Sequence, residues 1–366
     1  MKRGFGLILI VIAVAVGGWY AYTQRGGKDV PGGSWIGIGG QVETVVIRYG
    51  SEKKGFLNDE DVKKILRKRY GVEVEGTKMG SLEMSEGSLD GLDALWPSSE
   101  LAAAVFASRH ASQVFKKANI FSSPIVFFSW PKITEALVQA GIVQQREKVY
   151  YVIDLKRFLE AMLAEKTWKS LGLPYQAGNV NVRCTDPRKS NSGFLLSGLL
   201  AIVLNGGQMV DTQSIKHHLP TLKNIFKSMG YMENSSGILF DKYIKQGQGA
   251  FPVVSNYESL MVEFYNAHPD KGELIRKNVY VLIPEPTVWS EHPLIALNDV
   301  GNKLMEALQD DDIIRLAWKR YGLRPGVLGG GMDSSILREL RLPDQIQAAT
   351  PLPAIEVMEM ILKELH

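Results

Sequence analysis

The sequence predicts an α/β fold around a mainly parallel sheet, in a chain that leaves one domain, builds a second and returns to the first. Three observations carry this. Strand, polar turn and helix follow one another three times between residues 44 and 109, a strongly apolar strand then leads out of that unit into a second α/β series, and a late apolar strand leads back.

Each element follows from local pattern. Thr44 to Tyr49 is a buried strand that ends in the turn Gly50-Ser51-Glu52. Asn58 or Asp59 caps the next helix, whose apolar Val62, Ile65 and Leu66 recur at helical spacing. Residues 71–81 hold a second short strand, and Leu92 to Trp96 is a third apolar run, closed by Pro97-Ser98-Ser99 with the helix Glu100 to Arg109 behind it. In such a sheet the ligand-facing edge lies at the carboxyl ends of the strands. The outgoing strand is "SSPIVFFSW" (122–130). After it come a helix around Leu155 to Ala164, a strand Val180 to Thr185, a helix Gly193 to Leu204, a helix near Leu219 to Met229 and a strand Phe251 to Ser255. "VYVLIPEP" is the return strand, and "HPLIALN" with the helix Val300 to Tyr321 rejoins the first unit. A Pro-punctuated tail leads from Leu342 to a last helix, Ala354 to Leu365, with Ile355, Met358, Ile361, Leu362 and Leu365 on one face. Such a stripe packs on its own protein or on a partner.

The 366 residues are 45% hydrophobic and 22% charged, enough for one large or two medium domains with real cores. A net charge of +3 gives no basic stripe along the sequence, which argues against nucleic acid as a partner. The only cysteine, Cys184, excludes an intrachain disulfide framework and a Cys-rich zinc site. Lys2 and Arg3 precede Phe5 to Tyr22, which carries no charge over 18 residues. At about 1.5 Å per residue that stretch spans roughly 27 Å, near the minimum for a bilayer core. Trp19, Tyr20 and Tyr22 stand where a small-x-small cleavage site would follow a signal peptide, and they suit a membrane interface. An uncleaved N-terminal transmembrane anchor (1–25) with a Gly-rich linker (26–42) is expected.

For catalysis the sequence supplies little. His217 and His218 are adjacent, so on a helix they point about 100° apart and cannot grip one metal. No phosphate-binding Gly-x-x-x-x-Gly-Lys loop, Gly-x-Ser-x-Gly elbow or His-Glu-x-x-His is present, and "GGSWIGIGG" precedes the first strand instead of following one. Binding chemistry is better represented. Ser190-Asn191-Ser192-Gly193 opens an apolar helix, where unpaired N–H groups carry about half a positive charge and favour an oxyanion. Gly193 would let a ligand approach the backbone closely. The plain alternative is that Ser190 or Asn191 merely caps the helix. Against it stands repetition, since Ser51, Ser81, Ser98, Ser99, Ser122 and Ser123 also fall at strand ends or turns and could converge on one cleft.

In order, "RYGSEKKGFL", "GLDALWPSSELA", "FSSPIVFF", "CTDPRKSNSGFL" and "WKRYGLRPG" resemble bacterial extracellular solute-binding proteins of the type II periplasmic-binding-protein fold. The nearest likeness is to the solute-binding domain often joined to a von Willebrand factor A domain, over roughly Val45 to Gly326. The resemblance implies two α/β lobes joined by a two-strand hinge that close over a ligand. It assigns ligand contacts to Ser51, Glu52, Ser81, Ser98, Ser99, Ser122 and Ser123 in the first lobe. In the second, Asp186, Ser190, Asn191, Ser192 and Gly193 match the family's Asp-Pro-x-x-Ser-x-Ser-Gly pattern, and Tyr257 with Glu258 match a later ligand-facing strand end. Glu52 and Glu258 would repel an inorganic anion unless a cation offsets them. The lipoprotein cysteine usual in the family is replaced here by the apolar segment.

The expected organisation is lobe 1 at 43–124 and 284–341, lobe 2 at 125–283, and a C-terminal tail helix within 342–366. The expected function is extracytoplasmic capture of a small polar or anionic solute by a non-enzymatic, cofactor-free protein. It would be held at the cytoplasmic membrane by a single span and signal or deliver its solute to a membrane protein partner. The competing reading is a ligand-free scaffold or interaction subunit of a membrane complex.

Overall fold

In the computed structural model, residues 42–147, 150–326, 334–346 and 348–365 are described. The expected anchor and most of the linker lie outside them. No helix among the described residues is long and apolar enough to cross a membrane. Gln41–His366 form one compact unit.

The first lobe starts with β1 (Glu43–Tyr49), whose alternate residues Val45, Ile47 and Tyr49 are buried, as a half-buried strand requires. Helices α1 (Lys54–Asn58) and α2 (Glu60–Tyr70) follow. Asp59 caps α2 by accepting from the N–H groups of Asp61 (2.8 Å) and Val62 (3.3 Å), and Gly71, at φ 61°, ends it. Strands β2 (Val72–Lys78) and β3 (Ala94–Trp96) both pair parallel with β1, and helix α3 (Glu100–Arg109) follows β3.

Strand β4 (Lys116–Ser129) then runs through both lobes. Between it and β7 lie α4 (Pro131–Gln139), β5 (Val143–Arg146), β6 (Tyr150–Ile153), α5 (Leu155–Leu163), α6 (Asn191–Leu204), α7 (Ile215–Ser228) and α8 (Ser236–Ala250). After β7 (Val253–Tyr257) come α9 (Glu258–Ala267), α10 (Gly272–Asn278), β8 (Tyr280–Pro284) and β9 (Trp289–Ala296). The chain closes with α11 (Asp299–Ala307), α12 (Asp311–Tyr321), β10 (Arg324–Pro325), α13 (Ser335–Glu339) and α14 (Ile355–Glu364).

The strands run in the order β2-β1-β3-β9-β4-β8-β6-β5, with β7 and β10 also pairing β4. Residues 116–124 of β4 pair with β9 in the first lobe, and residues 125–129 pair with β7 and β8 in the second. Separate cores fill the two lobes. One gathers Val45, Ile47, Phe56, Trp96, Phe121 and Leu304; the other gathers Phe127, Phe128, Phe158, Phe194, Leu199 and Tyr243. Helix α6 is buried almost all round, which its nearly unbroken apolar sequence dictates.

Three segments differ from the sequence reading. Residues 180–185 touch β7 and Glu233 only through isolated bridges at Arg183 and Thr185, and the chain turns away at Asp186-Pro187. The expected single helix Val300 to Tyr321 is two, since Asp310 leaves helical geometry and caps α12 by accepting from Asp312 N (2.8 Å). Residues 334–341, expected in lobe 1, contribute Leu337 and Leu340 to the second core, where Leu342 of the tail joins them. There α14 packs on α6 and α7 through Val357, Met358 and Ile361, so the terminal stripe covers its own protein.

Helix α9 leaves the second lobe and packs on α12. Its Glu263 carboxyl presses on Gly55, where a Cβ would lie only 1.9 Å from Oε1. Burial, with Glu52 as a second cause, raises the Glu263 pKa to about 7 from an ordinary 4.5. A carboxyl whose folded pKa is raised contributes stability in full below about pH 4.5 and loses it as pH rises through about 7. Urea unfolding should therefore show stability falling by on the order of 2 kcal/mol between pH 5 and pH 8 through this group. Glu263→Gln should flatten that fall; an equally steep profile in the variant would contradict the assignment.

Candidate functional site

Because β1, β2 and β3 are parallel, their carboxyl ends share one edge of the first half-sheet. The residues just beyond that edge, Ser51, Glu52, Lys78, Ser81, Glu83 and Ser98, form one wall of a cavity of about 330 Å³. The second lobe supplies the other wall from the starts of two helices, Lys189, Ser190 and Asn191 before and in α6, and Asn234, Ser235 and Ser236 before and in α8, with Tyr257 at the end of β7. That volume is at the lower end of small-molecule sites. Ser190 and Ser235 occupy the N-cap positions of α6 and α8, yet neither side chain caps its helix. At α6 the Gly193 N–H donates instead to Thr185 Oγ1 (2.8 Å), while Ser190 and Ser235 line a space that suits an anionic or polar group.

Behind the first wall lies a buried polar set. Glu52 and Lys53 form an ion pair that is nearly excluded from solvent, Ser98 Oγ donates to Glu52, and Lys53 Nζ donates to Ser98 Oγ (2.9 Å). The Lys53 ammonium also stands 5.5 Å from the centre of the Trp96 ring. Burial alone would raise the Glu52 carboxyl, but Lys53 and the neighbouring His292 and Ser98 outweigh it and hold the pKa at about 2. Burial, reinforced by Lys53, pushes His292 down to about 3, so its imidazole is neutral at neutral pH. Its Nε2 shares a hydrogen bond with Ser290 Oγ (3.0 Å), and Ser290 Oγ donates to the Ser98 carbonyl (2.7 Å).

Three polar contacts join the lobes over the cavity. Asn191 Nδ2 donates to the Ser98 carbonyl, the hydroxyls of Ser51 and Ser236 lie 3.1 Å apart, and Lys189 Nζ reaches Glu83 Oε1 at 3.2 Å. Asn191 Nδ2 also donates to Tyr257 Oη at 3.2 Å. Lysine and carboxylate cancel in both Glu52–Lys53 and Glu83–Lys189. Lys78 lines the cavity without an ion pair to a described residue, which leaves the cleft net positive.

The sequence-predicted residues divide cleanly. Ser51, Glu52, Ser81, Ser98, Ser190, Asn191 and Tyr257 line the cavity together. Ser99 does not; it caps α3 by accepting from Ala102 N (3.3 Å). Ser122 sits opposite Arg324 in the β10 register, and Ser123 Oγ accepts from Ser259 N (3.1 Å). Asp186 is held by Arg188 (2.8 Å), and Ser192 Oγ by Thr185 Oγ1 (2.8 Å). Gly193 approaches the Thr185 carbonyl of its own chain, so the space beside its backbone is not open to a ligand. Glu258 is fully buried in a two-pronged pair with Arg324 (2.9 and 3.1 Å), whose guanidinium lies against Trp289 and Trp318. Both carboxylates expected to repel an anion are thus neutralised, Glu52 by Lys53 and Glu258 by Arg324.

Residues missed from sequence are Lys78, Glu83, Lys189 and the turn Asn234-Ser235-Ser236. That turn had a readable signal, since Asn-Ser-Ser-Gly before a helix repeats the Ser190–Gly193 pattern. Among the described residues no group of three or more His, Cys, Asp or Glu could hold a metal ion.

No protein-family model matches the sequence, and no curated protein matches it. Solved structures do. A periplasmic thiamin-binding protein superposes with a TM-score of 0.60 at 11% identity, over 88% of this chain and 95% of that one. The fold is that of the type II periplasmic binding proteins. The sulfate-binding protein SubI of Mycobacterium tuberculosis shares it with a TM-score of 0.51 at 17% identity, covering 86% of this chain and 96% of that one. So does the periplasmic binding protein AfuA of Actinobacillus pleuropneumoniae, solved with fructose-6-phosphate, with a TM-score of 0.53 at 14% identity over 87% and 97%.

Gly193→Ala separates a packed turn from a ligand contact. An added Cβ would lie 2.1 Å from the Thr185 oxygen. The ligand-free protein should lose about 1–3 kcal/mol in urea unfolding. An unchanged midpoint would mean that the backbone there is free to face a ligand.

Proposed function

We propose that this chain is a membrane-anchored, extracytoplasmic solute-binding protein that captures a small polar or anionic solute between its lobes. The occupied state would be delivered or signalled to a membrane protein partner, with no bond made or broken. The observation that carries the solute class is the charge and donor balance of the cavity. Its carboxylates are cancelled, Lys78 has no ion pair to a described residue, and the residues that start α6 and α8 add hydroxyl and amide groups. Two proteins that share the fold are named for small solutes, thiamin and sulfate, and a third is solved with fructose-6-phosphate bound. The anchor rests on the uncharged Phe5–Tyr22 stretch.

A scaffold that had lost its ligand would have no need of a donor-lined cavity that survives while the lobes touch. Closure fits the reading physically. Its contacts are few and polar, so a solute that bridges Ser98 and Asn191 can shift the balance between open and closed by its differential affinity alone.

Thermal unfolding in the presence of sulfate, inorganic phosphate and a hexose phosphate tests the solute class. At about 100 times its dissociation constant a bound solute stabilises by roughly 2.7 kcal/mol. At least one of the three should do so for the wild type and not for Lys78→Glu, which reverses the uncompensated charge. Equal stabilisation of both proteins by all three would reduce the effect to general salt action and defeat the anionic reading.

A further inference from the structure

The net charge of +3 hides a local excess on the first lobe. Helices α2 and α12 enclose a groove of about 500 Å³ with Ile65 and Leu316 among its lining residues. Lys64 and Lys68 on α2 and Lys319 on α12 are exposed along it, and none makes an ion pair with a described residue. Arg69 and Arg315 line the same groove and share Asp312, and Arg69 is also paired with Asp310 (2.9 Å). Five cations thus stand against the lining carboxylates Asp61 and Asp312 and the adjoining Asp310, and Asp61 is itself paired with Arg320 (2.7 Å).

Where the chain enters this lobe matters equally. Glu43 N donates to the carbonyl of Gly71 (2.9 Å), and Gly71 ends α2 two residues after Arg69. The chain that leads back to Phe5–Tyr22 therefore leaves beside the basic groove. Residues 23–42 separate the two, and a chain of that length can reach at most about 70 Å. Tethering at that range keeps this face at high effective concentration over a bilayer surface.

We propose that the α2–α12 face rests on an anionic phospholipid surface, with Lys64, Lys68 and Lys319 on headgroup phosphates. This rests on the anchored reading above.

Vesicle flotation of residues 41–366, which form a compact unit of their own, tests the face without the anchor. Binding is expected to vesicles of phosphatidylcholine with phosphatidylglycerol, to weaken between about 0.1 and 0.5 M salt as screening shortens, and to be absent with phosphatidylcholine alone. Reversal of the three lysines, K64E/K68E/K319E, should weaken binding by roughly 100-fold with an unchanged melting temperature. Equal binding to both vesicles, binding to neither, or full retention by the triple variant would overturn the proposal. Retention on a polyglutamate column but not by vesicles would overturn it too, in favour of an acidic protein partner. Alkaline carbonate extraction of the full chain reports the anchor separately, since release by carbonate removes the anchor and leaves the vesicle result to stand or fall by itself.

Discussion

One strand fixes the relation between the lobes. Along its first part β4 is hydrogen-bonded to β9, and along its last five residues to β7 and β8, so both half-sheets inherit their direction from a single backbone. The change of lobe falls at Pro124-Ile125, and Thr287 Oγ1 on the returning chain donates to the Ile125 carbonyl (2.6 Å). Arg324 adds a third tie by joining β10 of the first lobe to Glu258 at the start of α9. With the hinge held this firmly, strand ends and helix starts from both lobes meet in one place. The cavity is where they meet.

Charge burial beside that cavity has a physical logic. Removing an ion pair from water is costly, and a pair such as Glu52–Lys53 persists only where geometry and further hydrogen bonds satisfy both groups. Ser98 supplies them, and through its carbonyl it also receives Asn191 from the other lobe. The buried pair thus shapes the residue on which closure acts without placing a net charge in the cleft. The closing contacts are weak by comparison. Lys189–Glu83 is half exposed and worth at most about 1 kcal/mol, and the Ser51–Ser236 bond exchanges readily with water. In the proposed reading, a hinge confined to the two chain crossings and a weak latch would leave the balance between open and closed to the solute.

Much of this was legible in the sequence. The alternation in β1, the cap at Asp59, the Ser-Ser before α3 and the apolar run of α6 are local signals, and each element forms where its pattern sits. The cavity residues Ser51, Ser98 and Asn191 were readable because strand ends and helix starts are where a parallel sheet exposes polar groups. What could not be read depends on distant partners. Glu258 looks ligand-facing until Arg324, 66 residues away, is folded against it. Asp186, Ser192 and Gly193 look like contacts until the turn closes on Arg188 and Thr185. Lys53 carries no sequence mark of burial, and the return of residues 334–341 to the second lobe follows from leucines that any core would accept.

The most direct test of a solute held between the lobes is native mass spectrometry of the protein purified without denaturant. The account predicts an added small mass that is lost on unfolding and is absent from Asn191→Trp, whose ring would fill the cavity at its narrowest polar contact. A bare chain mass from the folded wild type, or an added mass that the Trp variant retains, would contradict it.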